Sequence, residues 1–180
     1  MKIAVDVDGV ISNTIPLIIE NIEKRGFRVV FDKYNPAIVG IDDREAFMSE
    51  VVQDVYTNQM DELKPYDDAV TSIPKIIKDV GSIMFVTARR EKFIKPTFDW
   101  LDAHFDASFK LVHMSSGKKP QFILDRKFDA FIEDRLRTAN SAAELGIKIY
   151  LINRPWNVGR PVHSDVIRID SLEEFYLMEK

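Results

Sequence analysis

The sequence predicts an α/β fold: a parallel sheet covered by helices on both faces, with a small, mainly helical insertion after the first strand. Three observations predict it. Short Val/Ile/Phe-rich runs lack polar alternation, as strands buried on both faces do. Helix-like segments separate those runs, the rhythm of a parallel sheet. One interval, 14–68, breaks that rhythm, with helical patterns but no convincing buried strand.

Taken in order, KIAVDV (2–7) reads as the first strand. Ile15, Leu17, Ile18, Ile19 and Ile22 then mark a helix that ends at Gly26. Val29 to Phe31 reads as a short extended piece, and Phe47, Val51, Val52, Val55 and Tyr56 share one face of a second helix. KPYDDAV (64–70) returns the chain to the sheet. The strand SIMFVTA (82–88) follows, then a helix over 92–105 with Pro96 in its first turn, where a missing N–H is harmless. FKLVHM (109–114), a helix over 120–127 and DAFIED (129–134) come next. A helix over 137–145 stops at Gly146 before KIYLIN (148–153), with VIRI (166–169) a weaker last strand. Ser171 with Glu174 forms a capping box for a helix over 171–178. The expected organisation is a core of 1–13 and 69–180 and a small helical cap of 14–68. Phe98, Trp100, Phe105 and Phe109 are expected in the core.

The chain has 180 residues, 46% hydrophobic and 30% charged, which suits one globular domain with room for a modest insertion. A net charge of -4 provides no basic field for long nucleic acid, and the absence of cysteine excludes disulfides, thiol nucleophiles and thiolate metal sites. The apolar run after Lys2 meets acids at position 6, too early for a signal-peptide core, and no window nears the ~18 apolar residues of a membrane span. A cytoplasmic location without membrane partners is the expectation. His104, His113 and His163 are scattered and receive no role.

In a parallel sheet, ligands bind at the carboxyl ends of the strands. Those ends carry Asp6 and Asp8; Thr87, Arg89 and Arg90; Glu133, Asp134 and Arg135; and Asn153 and Arg154, with Ser115 to Lys119 in a nearby loop. Taken singly, each has a plainer reading. DxDG is a common turn, Thr87 a strand-end hydroxyl, Glu133 a structural partner of a lysine, the arginines solvated or ion-paired, and RPWN a rigid loop with Trp156 on the core.

Together and in order, DVDGV (6–10), VTAR (86–89), the lysine of SSGKKP (115–120) and FIEDR (131–135) resemble the four motifs of the haloacid dehalogenase (HAD) superfamily. INRPWN (152–157) resembles its deoxyribonucleotidase-like, or 5'(3')-nucleotidase, branch. The resemblance implies a Rossmann-like core with a cap after the first strand, and a Mg2+ cofactor held by Asp6, the backbone carbonyl of Asp8, and Asp134. It implies that Asp6 attacks phosphorus to form an aspartyl-phosphate and that Asp8 serves as general acid and base. Thr87, Ala88, Arg89 and a lysine would bind the transferring phosphoryl group, with Glu133 orienting the lysine. Lys119, at the helix start before Pro120, is favoured over Lys118. Charge agrees: converging carboxylates need more than one lysine for compensation, and hard oxygens without Cys or His suit magnesium.

The implied substrate is a small phosphate ester, a (deoxy)nucleoside monophosphate first and a sugar phosphate or other metabolite second. Dehalogenation is disfavoured by Asp8, since that chemistry needs neither metal nor acid. A phosphate-binding member without catalysis is the alternative from another class; a receiver domain would carry its phosphorylated Asp on a middle strand and no such insertion. Which side chains of 14–68 face the pocket is not legible, and Asn13, Ile15, Tyr34 and Met48 are not assigned as sites.

Overall fold

Continuous apolar runs become strands whose successive side chains enter two different cores. The computed structural model describes residues 1–31 and 36–180. β1 (Lys2–Val5), α1 (Ile15–Lys24), β2 (Arg28–Phe31), β3 (Pro36–Val39), α2 (Arg44–Asn58) and α3 (Asp67–Asp79) form the first third of the chain. β4 (Ser82–Thr87), α4 (Ile94–His104), β5 (Lys110–His113), α5 (Lys119–Asp125) and β6 (Ala130–Glu133) follow. α6 (Leu136–Glu144), β7 (Ile149–Ile152), β8 (Val166–Ile169) and α7 (Leu172–Glu179) complete it. Six strands form one parallel sheet in the order β5-β4-β1-β6-β7-β8, with β1 and β6 paired side by side near its centre.

Ile3 and Val5, Phe85, Ile132, Tyr150 and Ile152 pack into one core with residues of α3, α4 and α7. Their neighbours Ala4, Val86, Phe131, Ile149 and Leu151 pack into the other with Ile123 of α5 and Ala139 and Ala142 of α6. Each strand therefore needs apolar residues at odd and even positions alike, which is why the runs lack polar alternation. The expected fold class is the one observed. No helix among the described residues is long and apolar enough to cross a membrane.

The insertion and its return differ from expectation. Besides α1 and α2, it contains β2 and β3, paired antiparallel as a two-stranded ribbon. The extended piece foreseen at Val29 is one half of that ribbon. Residues 32–35, including Tyr34, lie outside the described residues. The segment taken as a simple return is α3, a 13-residue helix with Pro74 inside it. Asp67 and Asp68 in its first turn suit the positive N-terminal end, and Ala69, Ile73 and Ile76 bury one face. Phe98 departs too: it is 42% exposed, beside the Phe109 ring, while Trp100 and Phe105 are buried as expected.

Caps follow local chemistry. The Asp43 carboxylate accepts from the Ala46 N–H at 3.0 Å to start α2, and the Ser171 hydroxyl accepts from the Glu174 N–H at 3.1 Å to start α7. β1 ends at Val5 and β6 at Glu133, so Asp6 and Asp134 sit where the chain turns off adjacent strands.

Candidate active site

Because β1 and β6 are neighbours, their C-terminal acids meet. Asp6 is 3% exposed, and its Oδ1 lies 2.7 Å from the Lys119 Nζ while accepting the Val7 N–H at 2.7 Å. Lys119, at the first position of α5, turns its side chain inward, is 1% exposed, and reaches Glu133 Oε2 at 3.2 Å. Lys118 is exposed, so Lys119 is the lysine placed against Asp6. Glu133 is anchored by its Oε1, which accepts from the backbone N–H groups of Asp134 and Arg135 at 3.2 and 3.1 Å. Asp134 Oδ2 accepts the indole N–H of Trp156 at 2.8 Å, whereas its Oδ1 is buried with no partner.

Asp6, Glu133 and Asp134 each direct a carboxylate oxygen to within 4.8 Å of the others. One ammonium faces three carboxylates. Burial, then the charge of Glu133, pushes Asp6 well above the usual carboxylate range, with Lys119 opposing. Burial and then Asp6 raise Asp134 to about 7. Burial raises Glu133 as well, against the opposing charge of Lys119. For Lys119, burial works against the ammonium, but Asp6 and Glu133 together raise it. Three hard oxygens, a charge deficit and an unpartnered buried Asp134 Oδ1 fit a divalent cation such as Mg2+.

Asp8 belongs to a second cluster. Its Oδ1 accepts from Arg89 Nη2 at 2.7 Å, Ser12 Oγ at 2.9 Å, Thr14 Oγ1 at 2.9 Å and the Tyr56 hydroxyl at 2.8 Å; its Oδ2 accepts from Arg89 Nε at 3.0 Å. Burial alone would raise this carboxyl, but the Arg89 charge and the hydrogen bonds from Arg89, Tyr56 and Thr14 bring it to about 2. The Arg89 side chain is fully enclosed: it also donates to Thr97 Oγ1 at 3.0 Å and lies 4.3 Å from the centre of the Tyr56 ring. Asp8 therefore offers the converging group no side-chain oxygen, and its carboxylate is not one of the three that gather there.

The phosphoryl-binding trio expected at 87–89 is divided. Ala88 is exposed on the cleft wall, Thr87 is buried with its hydroxyl accepting the Arg89 N–H at 3.1 Å, and the Arg89 guanidinium is committed to Asp8. Arg90 pairs with Gln53 and Ser49 of α2 at 3.2 and 2.6 Å, and Arg135 with Ser116 at 2.9 Å.

Other residues complete the site, one from the insertion and several from the INRPWN tract. Tyr56 reads in the sequence only as part of an apolar helix face. Trp156, for which core packing is the plainer of two readings, holds Asp134. Asn157 is fully buried and its amide bridges the carbonyls of Asp134 and Ile152 at 2.7 and 2.8 Å. Arg154 donates to the Gly9 carbonyl at 2.7 Å and stacks 3.8 Å from the Tyr66 ring. Gly9 itself has φ +83, and a Cβ there would lie 2.2 Å from Asp134 Oδ2. Only glycine lets the loop after β1 pass so close to β6. Above these residues opens a cleft of about 430 Å³, whose walls include Asp6, Asp8, Lys119 and Asp134 on one side and Ile15, Ile18 and Val52 of the insertion on the other.

No family model matches the chain, and no curated protein sequence does. Solved structures do. A haloacid dehalogenase-like hydrolase from Bacteroides fragilis is 14% identical with TM-score 0.65, over 97% of this chain and 98% of that one. CbbY from Rhodobacter sphaeroides, solved in complex with phosphate, is 12% identical with TM-score 0.62, over 97% and 95%. D,D-heptose 1,7-bisphosphate phosphatase from Burkholderia thailandensis is 13% identical with TM-score 0.61, over 98% and 96%. With so few shared residues along almost the whole of each chain, the likeness is one of backbone: this chain has the α/β fold of haloacid dehalogenase-like hydrolases.

Proposed function

We propose that this chain is a Mg2+-dependent phosphomonoesterase of the haloacid dehalogenase type, acting on a small phosphorylated metabolite through an aspartyl-phosphate on Asp6. The observation that carries the reading is the nucleophile's setting: Asp6 lies 2.7 Å from a buried ammonium and shares a carboxylate cluster with Asp134, one of whose oxygens is buried and unpartnered. Asp6 and Asp134, with the Asp8 carbonyl, would hold the cation. When bound, the cation supplies positive charge that neutralises these acids and draws a phosphoryl oxygen toward them.

The chain's own groups do the rest. Asp6 attacks phosphorus in line as the bond to the leaving oxygen breaks, and Asp8 passes that oxygen a proton that its carboxyl, held at about 2 beside Arg89 in the free protein, must first take up from solvent. Asp8 then removes a proton from water, whose oxygen attacks the acyl phosphate, freeing phosphate and regenerating Asp6. Lys119 neutralises charge on the transferring group and Thr87 donates its hydroxyl to it, with Ala88 and Arg89 bounding the phosphoryl site. Glu133 orients Lys119, and Arg89 with Tyr56 fixes the direction of Asp8. The insertion at 14–68 acts as a cap on the core of 1–13 and 69–180, since it walls the cleft with Ile15, Ile18 and Val52.

The substrate reading is a (deoxy)nucleoside monophosphate, supported by the INRPWN tract, whose Trp156 holds a cleft carboxylate. A sugar phosphate is the second reading, favoured by the phosphatase of known sugar chemistry among the similar folds. The test is phosphate release from an aryl phosphate and from a panel of 5'- and 3'-nucleotides and sugar phosphates, with Mg2+ and with EDTA. Mg2+-dependent release that Asp6→Asn abolishes is expected. A wild-type protein that releases no phosphate from any of these esters overturns the enzyme in favour of a phosphate-binding module.

A further inference from the structure

A second cavity lies beside the cleft, within the insertion. Ile15 and Ile18 of α1 line both the cleft and this cavity of about 70 Å³. That second cavity runs between α1, the β2–β3 ribbon and α2, and Ile19, Val29, Ile38 and Met48 help to enclose it. All four, like Ile15 and Ile18, are only half-buried. Arg44 is the charged side chain among the described residues around it, and it has an interaction of its own. Apolar side chains left open around a concave space beside reactive groups mark a ligand surface rather than a folding core.

The insertion side of the cleft offers little to a polar group. The hydroxyls of Thr14 and Tyr56, which face the cleft from that side, both donate to Asp8. The other side chains there, Ile15, Ile18 and Val52, have no hydrogen-bonding groups. A polyol leaving group placed against them would lose water from its hydroxyls without gaining a partner from those three side chains, a cost that an apolar group escapes.

We propose that the cleft and the cavity behind Ile15 and Ile18 form an apolar subsite for the leaving group, so that this protein selects phosphate esters ending in an apolar ring or branched alkyl group over polyol phosphates. The subsite rests on the phosphate-site reading above but not on the nucleotide or sugar leaving groups weighed there, against which it decides, and its test separates the phosphate site from the subsite.

Calorimetry on the Mg2+-loaded wild-type protein compares cyclohexylmethylphosphonate with methylphosphonate. The ring-bearing ligand is expected to bind at least about tenfold more tightly. Ile18→Asn should bring that ratio down toward one, while Ile18→Leu should keep it. Turnover of cyclohexylmethyl phosphate against glucose 6-phosphate, both esters of primary alcohols, gives the kinetic counterpart and should favour the former in kcat/KM by a similar factor. Equal binding of the two phosphonates by wild-type protein overturns the subsite alone. Binding of neither overturns the phosphate site and the subsite together. The wild-type comparison decides the matter even if Ile18→Asn fails to fold.

Discussion

Asp8 and Gly9 show how much depends on single positions after β1. Asp8 receives bonds from Arg89, Ser12, Thr14 and Tyr56, so its direction is determined by four other residues. Gly9 has φ +83 and no room for a Cβ beside Asp134 Oδ2, at 2.2 Å. Gly9→Ala therefore combines backbone strain with displacement of Asp134. It should cost at least about 2 kcal/mol, a fall in Tm of roughly 4–8 °C by calorimetry for a chain of this size. At Trp156, the indole N–H is the donor that satisfies Asp134 Oδ2. Trp156→Phe should keep the ring's packing and lose that bond, weakening Mg2+ binding about 10–100-fold in a titration of the apo protein. Unchanged affinity would mean that Asp134 needs no orientation from the RPWN loop.

At the scale of elements, α7 is capped at its start and tied to the sheet at its end. Ser171 caps its start, and at its end the Glu179 carboxylate accepts from Lys148 Nζ at 2.7 and 2.8 Å and from the Tyr150 hydroxyl. Burial pushes Glu179 up, but the bonds from Lys148 and Tyr150 outweigh it and leave the carboxyl below its usual range. A carboxyl depressed by folding contributes stability that is full above its unfolded pKa and is lost as pH falls through the folded one. Wild-type protein should therefore lose more Tm than Glu179→Gln as pH drops from about 5 to about 3, around the ordinary glutamate pKa. Parallel acid profiles for the two proteins would remove this contact from the account. α3 makes the complementary point: its Pro74 breaks a local rule for helix interiors, yet Ala69, Ile73 and Ile76 bury enough apolar surface against the sheet to keep it.

For the whole molecule, the main tension is electrostatic. Three buried carboxylates converge around one ammonium, so the apo fold carries uncompensated charge in its interior. A cation that binds only the folded chain stabilises it by mass action, by about 2.7 kcal/mol at a hundredfold excess over Kd. Added Mg2+ should thus raise Tm by roughly 5–10 °C and EDTA should reverse it, with Asp134→Asn blunting the shift. A Tm indifferent to Mg2+ in the wild-type protein would leave the acidic group without its proposed ion.

What the sequence by itself determined is everything carried by short, local chemistry. Apolar runs ending in acids announced the strands and the sheet edge where they meet. The alternation of strands with helices placed Asp6, Lys119, Glu133 and Asp134 on elements that a parallel sheet brings together. Tertiary structure alone decided what depends on distant partners. It pairs Arg89 with Asp8 instead of leaving it free, puts the Tyr56 hydroxyl on that same carboxylate, and hangs Asp134 from Trp156. It turns a stray extended piece into the β2–β3 ribbon and leaves Phe98 outside the core. The reason is physical: periodicity and motif report which face a residue prefers, whereas a hydrogen bond or a half-filled apolar wall exists only once two remote segments share the same space.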